Sequence, residues 1–173
     1  MKYKKKIILG LDPGLNKTGW AIIEILKETK VHLANGFIKT NKNLPMPVRL
    51  ENIFLNVRKI IFKFSPNYAA VETVFVNNNA KSSLLLGQAR GVIMLALAKE
   101  KITVGEYSPN EVKKNIAGYG HATKSEIFKM IQLMFPKVQV ENEDSADALA
   151  VALCHAFNIN FSLKINNDSK IKR

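Results

Sequence analysis

The sequence predicts an α/β domain in which helices cover a five-stranded mixed sheet. Three observations carry that expectation. Three β-branched-rich apolar runs follow one another before residue 40 with only short polar joints, as in an antiparallel meander. Two further short strands then alternate with segments of helical period, the order that adds parallel strands to a sheet. The whole has 173 residues, 47% of them apolar, which suits one domain around one core.

The first run, Ile7 to Leu11, ends at Asp12, Pro13 and Gly14, as a buried strand meets a turn. Gly19 to Leu26 and Val31 to Lys39 follow, separated by the polar stretch Lys27 to Lys30. Pro45 and Pro47 mark a boundary, after which Leu50, Ile53, Phe54, Val57, Ile60, Ile61 and Phe64 recur with helical period over Val48 to Phe64. Tyr68 to Glu72 reads as a fourth strand, Asn77 to Asn79 as a turn, and Ala80 to Glu100 as a long helix. Ile102 to Glu106 is the fifth strand, Pro109 to Ala117 and Lys124 to Phe135 are helices, and Asp144 to Phe157 is the last helix. The expected domain is therefore 1–159, with 160–173 a basic, disordered tail of Lys, Asn and Ser.

Twenty-six Lys plus Arg against 14 Asp plus Glu give a formal charge of +12, which suits a polyanionic partner. A lysine-rich composition bias is the competing explanation. Cys154 is the only cysteine, so no intrachain disulfide can form and a reducing cytoplasm is expected. The apolar run after Lys2 to Lys6 stops at Asp12, too short for a secretory signal, and Leu84 to Ala98 is broken by Gln88 and Arg90. No membrane association is expected.

Chemistry is concentrated in acidic residues at apolar positions. Asp12 directly follows a buried strand, where a carboxylate is costly to desolvate unless something such as a cation compensates it; a turn aspartate in Asp-Pro-Gly is the alternative. Glu72 follows Ala69, Ala70 and Val71 on a second apolar strand, or else faces water from an edge. Asp144 and Asp147, three residues apart, share one face of the last helix. Asp144 could also serve as the helix cap, but Asp147 stands inside an almost wholly apolar stretch. If the fourth strand lies beside the first, all four carboxylates gather at one point. Oxygen-only ligation suits Mg²⁺, with Mn²⁺ as substitute, and two such ions roughly 4 Å apart would support phosphodiester hydrolysis. His32, His121 and His155 are scattered and lack a second cysteine, so no zinc site is expected.

Four blocks in order, Ile8 to Gly14 with Thr18 and Gly19 (ILGLDPG…TG), Ala70 to Phe75 (AVETVF), Leu86 to Gly91 (LGQARG) and Asp144 to Ala150 (DSADALA), resemble the RuvC Holliday-junction resolvases over residues 7–157. The resemblance implies a ribonuclease-H-like fold and a homodimer that cuts four-way junction DNA by paired symmetric nicks. It further implies Mg²⁺ bound by Asp12, Glu72, Asp144 and Asp147, and work alongside the RuvA and RuvB branch-migration proteins. Some relatives carry histidine where this chain has Asp144.

By the same resemblance Lys113 and Lys124 are active-site and phosphate-contacting lysines, Lys124 being catalytic, and Phe75 stacks on a base near the junction point. Solvated lysines and a core phenylalanine are the plainer readings. The Gly118-Tyr119-Gly120-His121 loop before Lys124 favours phosphate contact. His155 lies too far along its helix from Asp147 to share a ligand and is expected to be structural. An actin-like ATPase lobe also begins with a strand, an Asp-x-Gly turn and a hairpin, but needs a second lobe that 173 residues do not supply. A ribonuclease H for RNA–DNA hybrids would share the metal chemistry but lacks the third and fourth blocks in this form.

Overall fold

A computed structural model describes residues 5–27, 29–73 and 80–171, with side chains as far as residue 159. The elements in chain order are β1 (Lys6–Asp12), β2 (Lys17–Leu26), β3 (Thr29–Lys39), α1 (Met46–Phe64), β4 (Tyr68–Glu72), α2 (Ala80–Lys99), β5 (Thr103–Tyr107), α3 (Pro109–Ala117), α4 (Lys124–Met134) and α5 (Glu143–Ile171). The sheet order is β3-β2-β1-β4-β5. The first three strands are antiparallel neighbours, while β4 and β5 join parallel to β1, as the meander followed by β–α alternation predicts.

Period-two alternation divides the sheet between two cores. Leu9, Leu11, Ala69 and Val71 face α1 and α2, where Ile53, Val57, Ile93 and Leu97 are fully buried. Ile8 and Ala70 face α5, packing with Leu149, Leu153 and the inner residues of α3 and α4. Each large aliphatic side chain fully buried this way stabilises the fold by about 1.5–3 kcal/mol.

Helix α5 lies directly on the sheet because small residues meet there. A Cβ on Gly10 would stand 2.1 Å from the carbonyl oxygen of Ala148 and 2.7 Å from Ala152 Cβ, and one on Gly19 would stand 1.9 Å from the carbonyl oxygen of Asp144. The two glycines thus fix how closely the start of α5 approaches the sheet.

Most boundaries shift from the sequence expectation by one or two residues, and two of the differences bear on the site and the tail. Strand β2 begins at Lys17 rather than Gly19, because the Thr18 hydroxyl donates to the carbonyl of Gly14 (2.7 Å) and brings Gly19 opposite Asp12. The backbone of α5 continues to Ile171, past Phe157, so the boundary expected at 159 falls inside a helix. No Gly or Pro interrupts the chain after Pro136, and nothing in the backbone chemistry stops the helix at Phe157. The Asn77 to Asn79 turn and Phe75 lie outside the described residues.

Candidate active site

Asp12 ends β1 and Glu72 ends β4, and these strands are parallel neighbours with Leu11 opposite Val71. Counting two residues on from Gly10 and Ala70 places both carboxylates on the α5 face of the sheet. Strand alternation alone therefore delivers the pair to one spot. The third and fourth carboxylates arrive from the first turns of α5, which Gly10 and Gly19 hold against β1 and β2.

Asp144 does not cap this helix. Asn142 does: its Oδ1 accepts from the backbone N–H of Ser145 (2.9 Å), and the Ser145 hydroxyl accepts from the N–H of Asn142 (3.1 Å). The capping alternative for Asp144 is thereby removed, leaving its carboxylate free to face the sheet end.

The electrostatics show that the other three carboxylates all act on Asp12. Burial and the negative charges of Glu72, Asp147 and Asp144 push the Asp12 carboxyl up to about 8, so it keeps its proton and donates a hydrogen bond to Glu72. Burial also raises Glu72, aided by Asp147, while the hydrogen bond from Asp12 and the charges of Lys124 and Lys113 pull the other way. Both lysines singled out from the sequence are thus within electrostatic reach of Glu72.

Lys124 opens α4, whose entry is fixed by a reciprocal cap: the Thr123 side chain accepts from Glu126 N–H, and the Glu126 carboxylate accepts from Thr123 N–H. From there the Lys124 ammonium reaches Asp147 at 2.9 Å and Glu143 at 3.9 Å. Tyr119 donates its hydroxyl to Glu126 (2.6 Å), bracing the same corner, and Gly118 ends α3 with φ +89°, a conformation that favours glycine. Lys113, half-buried, comes from α3.

The sequence reading missed Lys17. At the start of β2, its ammonium lies 3.7 Å from Asp144, and the only available signal was its place in the turn after Asp12-Pro13-Gly14. His155 stands apart, as expected: it is buried, within 2.7 Å of the Tyr107 hydroxyl.

The donor set fits a hard divalent cation. It offers carboxylate oxygens only, and it carries more negative charge than the site sustains, since Asp12 holds a proton at neutral pH. Among the described residues no three such side chains already form a ligand shell. In this arrangement a shared proton joins Asp12 to Glu72, and ammonium groups lie against Asp147 and Asp144.

Such a sheet, with acidic side chains at the ends of its first and fourth strands and on its closing helix, defines a ribonuclease-H-like α/β protein with a polar, multi-carboxylate site. Residues 8–155 match the family model of the crossover junction endodeoxyribonuclease RuvC. The chain belongs to the RuvC family. The RuvC of Wolbachia sp. subsp. Drosophila simulans (strain wRi) is 49% identical over 151 residues, spanning 87% of this chain and 93% of the relative. That of Sinorhizobium medicae (strain WSM419) is 42% identical over 151 residues, spanning 87% and 90%. Among solved structures, T. thermophilus RuvC in complex with a Holliday junction substrate superposes with a TM-score of 0.85 at 28% identity, covering 91% of this chain and 96% of that one.

Proposed function

We propose that this chain is a crossover junction endodeoxyribonuclease that binds four-way junction DNA and resolves it by paired symmetric nicks, in recombination and repair. The observation that supports this most directly is that the charges of Glu72, Asp147 and Asp144 converge on the buried Asp12 carboxyl at the end of β1. In this reading those four side chains hold Mg²⁺, two ions in each site, with Mn²⁺ able to replace it. Bound there, the metal supplies Lewis acidity toward the scissile phosphate and lowers the pKa of the attacking water.

The protein's own groups do the rest. Lys124, held here against Asp147, would turn to the phosphodiester and add positive charge where negative charge develops in the transition state. Lys113 holds the scissile strand beside Glu72. Phe75, three residues beyond Glu72, stacks on a base near the junction point.

A near-two-fold substrate calls for a two-fold enzyme. The reading therefore includes a homodimer formed through α2, where Leu84 and Leu95 are 65% and 55% exposed and Gly87 and Gly91 have open space around them. It also includes action with RuvA and RuvB in a bacterial cytoplasm, and a nuclease unit within 1–159. Among the described residues no helix is long and apolar enough to cross a membrane.

The test is cleavage of a labelled synthetic four-way junction beside a linear duplex and an RNA–DNA hybrid, each with Mg²⁺ or with chelator. Symmetric nicks on the junction alone, dependent on metal, are expected. Preferential cutting of the hybrid would replace this reading with that of a ribonuclease H.

A further inference from the structure

An open groove runs from the head of α5 along the β2–β3 hairpin toward α1. It begins at the site itself: a cleft of about 1040 Å³ borders Asp144 and is lined by Lys17, Lys39 and Lys42 with Asn16, Asn41 and Asn43. Through Lys39 it continues into a second cleft of about 500 Å³ between β3 and α1, lined by Trp20, Phe37 and Phe64 with Lys59 and Lys63. Among the described residues Asp144 is the only acidic one lining either cleft. Among the described residues no ion pair engages Lys39, Lys42, Lys59 or Lys63.

Two features show that the groove is built. Under the first cleft lies Arg49, buried, its guanidinium donating to Asn16 (2.7 Å), to Thr40 (3.0 and 3.1 Å) and to the carbonyl of Leu15 (3.2 Å). All its partners are neutral, so the floor keeps a fixed positive charge that an arriving anion would compensate. In the second cleft Trp20 lies across Gly36, where a Cβ would come within 2.8 Å of the indole, and its ring stands 6.0 Å from that of Phe64. The glycine thus opens a flat aromatic floor between lysine rims. Lys17 joins the halves, 3.7 Å from Asp144 and 5.6 Å from the centroid of the Phe37 ring.

We propose that this groove carries the sugar–phosphate backbone of a junction arm leading away from the acidic site. Phosphates sit between Lys39, Lys42, Lys59 and Lys63, and deoxyribose faces lie on Phe37 and Trp20. Charge complementarity and continuity with the site select DNA over an acidic protein surface. The inference rests on the nuclease reading above.

Trp20 is the only tryptophan, so its emission reports whether the groove is filled. The experiment uses the full-length protein without divalent cation, so that nothing is cut. It compares junctions whose arms reach the groove with junctions whose arms are too short. Binding is measured against salt for wild type, for Lys39→Ala/Lys59→Ala/Lys63→Ala, and for a control, Lys129→Ala/Lys137→Ala, on exposed lysines elsewhere; thermal unfolding confirms that each folds. Long arms are expected to change the wild-type Trp20 emission and short arms to leave it unmoved. The triple variant is expected to lose about 0.9 of the log K versus log salt slope for each phosphate contact removed. An unmoved emission, a triple-variant slope equal to wild type, or an equal loss per lysine in the control overturns the groove, and unchanged DNA binding would hand it to an acidic protein. A wild-type protein that fails to prefer the junction over duplex instead removes the nuclease reading, and the groove falls with it.

Discussion

The ammonium of Lys124 lies 2.9 Å from Oδ2 of Asp147, tying the first residue of α4 to the second inward carboxylate of α5. That hydrogen bond raises the lysine pKa, so Lys124 stays charged throughout the neutral range. Its side chain is 69% exposed, and an ion pair so open to water contributes only about 0–1 kcal/mol. Lys124→Ala should therefore barely change urea unfolding while slowing single-turnover junction cleavage by about 10²–10³-fold, the usual loss for one electrostatic stabiliser. Undiminished cleavage would leave the lysine a surface charge.

Asp144 and Asn142 sit two residues apart at the head of α5 but should fail differently. Asn142→Ala removes the cap and is expected to cost about 1 kcal/mol of stability, with cleavage by the folded protein retained. Asp144→Asn or Asp147→Asn keeps the fold and takes away a charge that repels phosphate, so junction affinity in a gel shift should hold or improve while cleavage falls by orders of magnitude. Near-normal cutting by Asp144→Asn would take that residue out of the site.

Asp12 makes the metal-free protein less stable than it could be. Its carboxyl is raised from 3.8 to about 8, so the unfolded chain releases a proton that the folded chain keeps. The sign follows: its contribution is most favourable below the unfolded pKa and is lost as pH rises toward 8. At neutral pH Asp12→Asn should raise the melting temperature of the metal-free protein, each 1 kcal/mol being worth about 2–4 °C at this size. The same substitution should abolish the stabilisation that Mg²⁺ gives the wild type. Equal melting temperatures without metal would contradict the burial of that charge.

Much of this site was legible because strand alternation is strict. Once Ile7 to Leu11 and Tyr68 to Glu72 are read as neighbouring strands, Asp12 and Glu72 must share a face, and the spacing of Asp144 and Asp147 gives them one face of a helix. What could not be read was anything set by packing between distant segments. Lys17 meets Asp144 only because Gly19 lets the head of α5 press on β2, and no local pattern announces that approach. The capping alternative for Asp144 stayed open because Asn142 and Asp144 are both good capping residues, and only backbone geometry chooses between them. The tail was read from polarity, which says nothing about whether a helix without Gly or Pro will stop.

Gly10 and Gly19 test that packing directly. A methyl group at either would stand about 2 Å from a backbone carbonyl of α5, at Ala148 or Asp144, where no side chain can swing aside. Gly19→Ala should displace the start of α5 and separate Asp144 from Asp12, so cleavage is expected to fall more steeply than stability. Gly118→Ala, strained by its φ of +89° but with open space around it, should show the reverse order: stability falls with the fold of α5 intact. Equal cleavage by Gly19→Ala and wild type would show that the helix head tolerates a shift.

His155 gives the fold a pH dependence separate from the carboxylates. It is 7% exposed, its Nε2 has no partner among the described residues, and burial lowers its pKa from 6.5 to about 4. The unfolded chain therefore binds this proton first as pH falls. Stability from His155 is complete above about pH 6.5 and is lost progressively down to about 4, a term of order 3 kcal/mol at 1.36 kcal/mol per pKa unit. Carboxylates titrate in the lower part of the same window, so the measurement is a difference. Urea unfolding of wild type and His155→Gln is compared at pH 7.5 and pH 5. Glutamine is neutral at both, so the variant should lose less stability on acidification than wild type. If both lose the same amount, His155 takes up its proton in the folded state without strain, and the part-buried Tyr107–His155 contact is not the source of acid sensitivity.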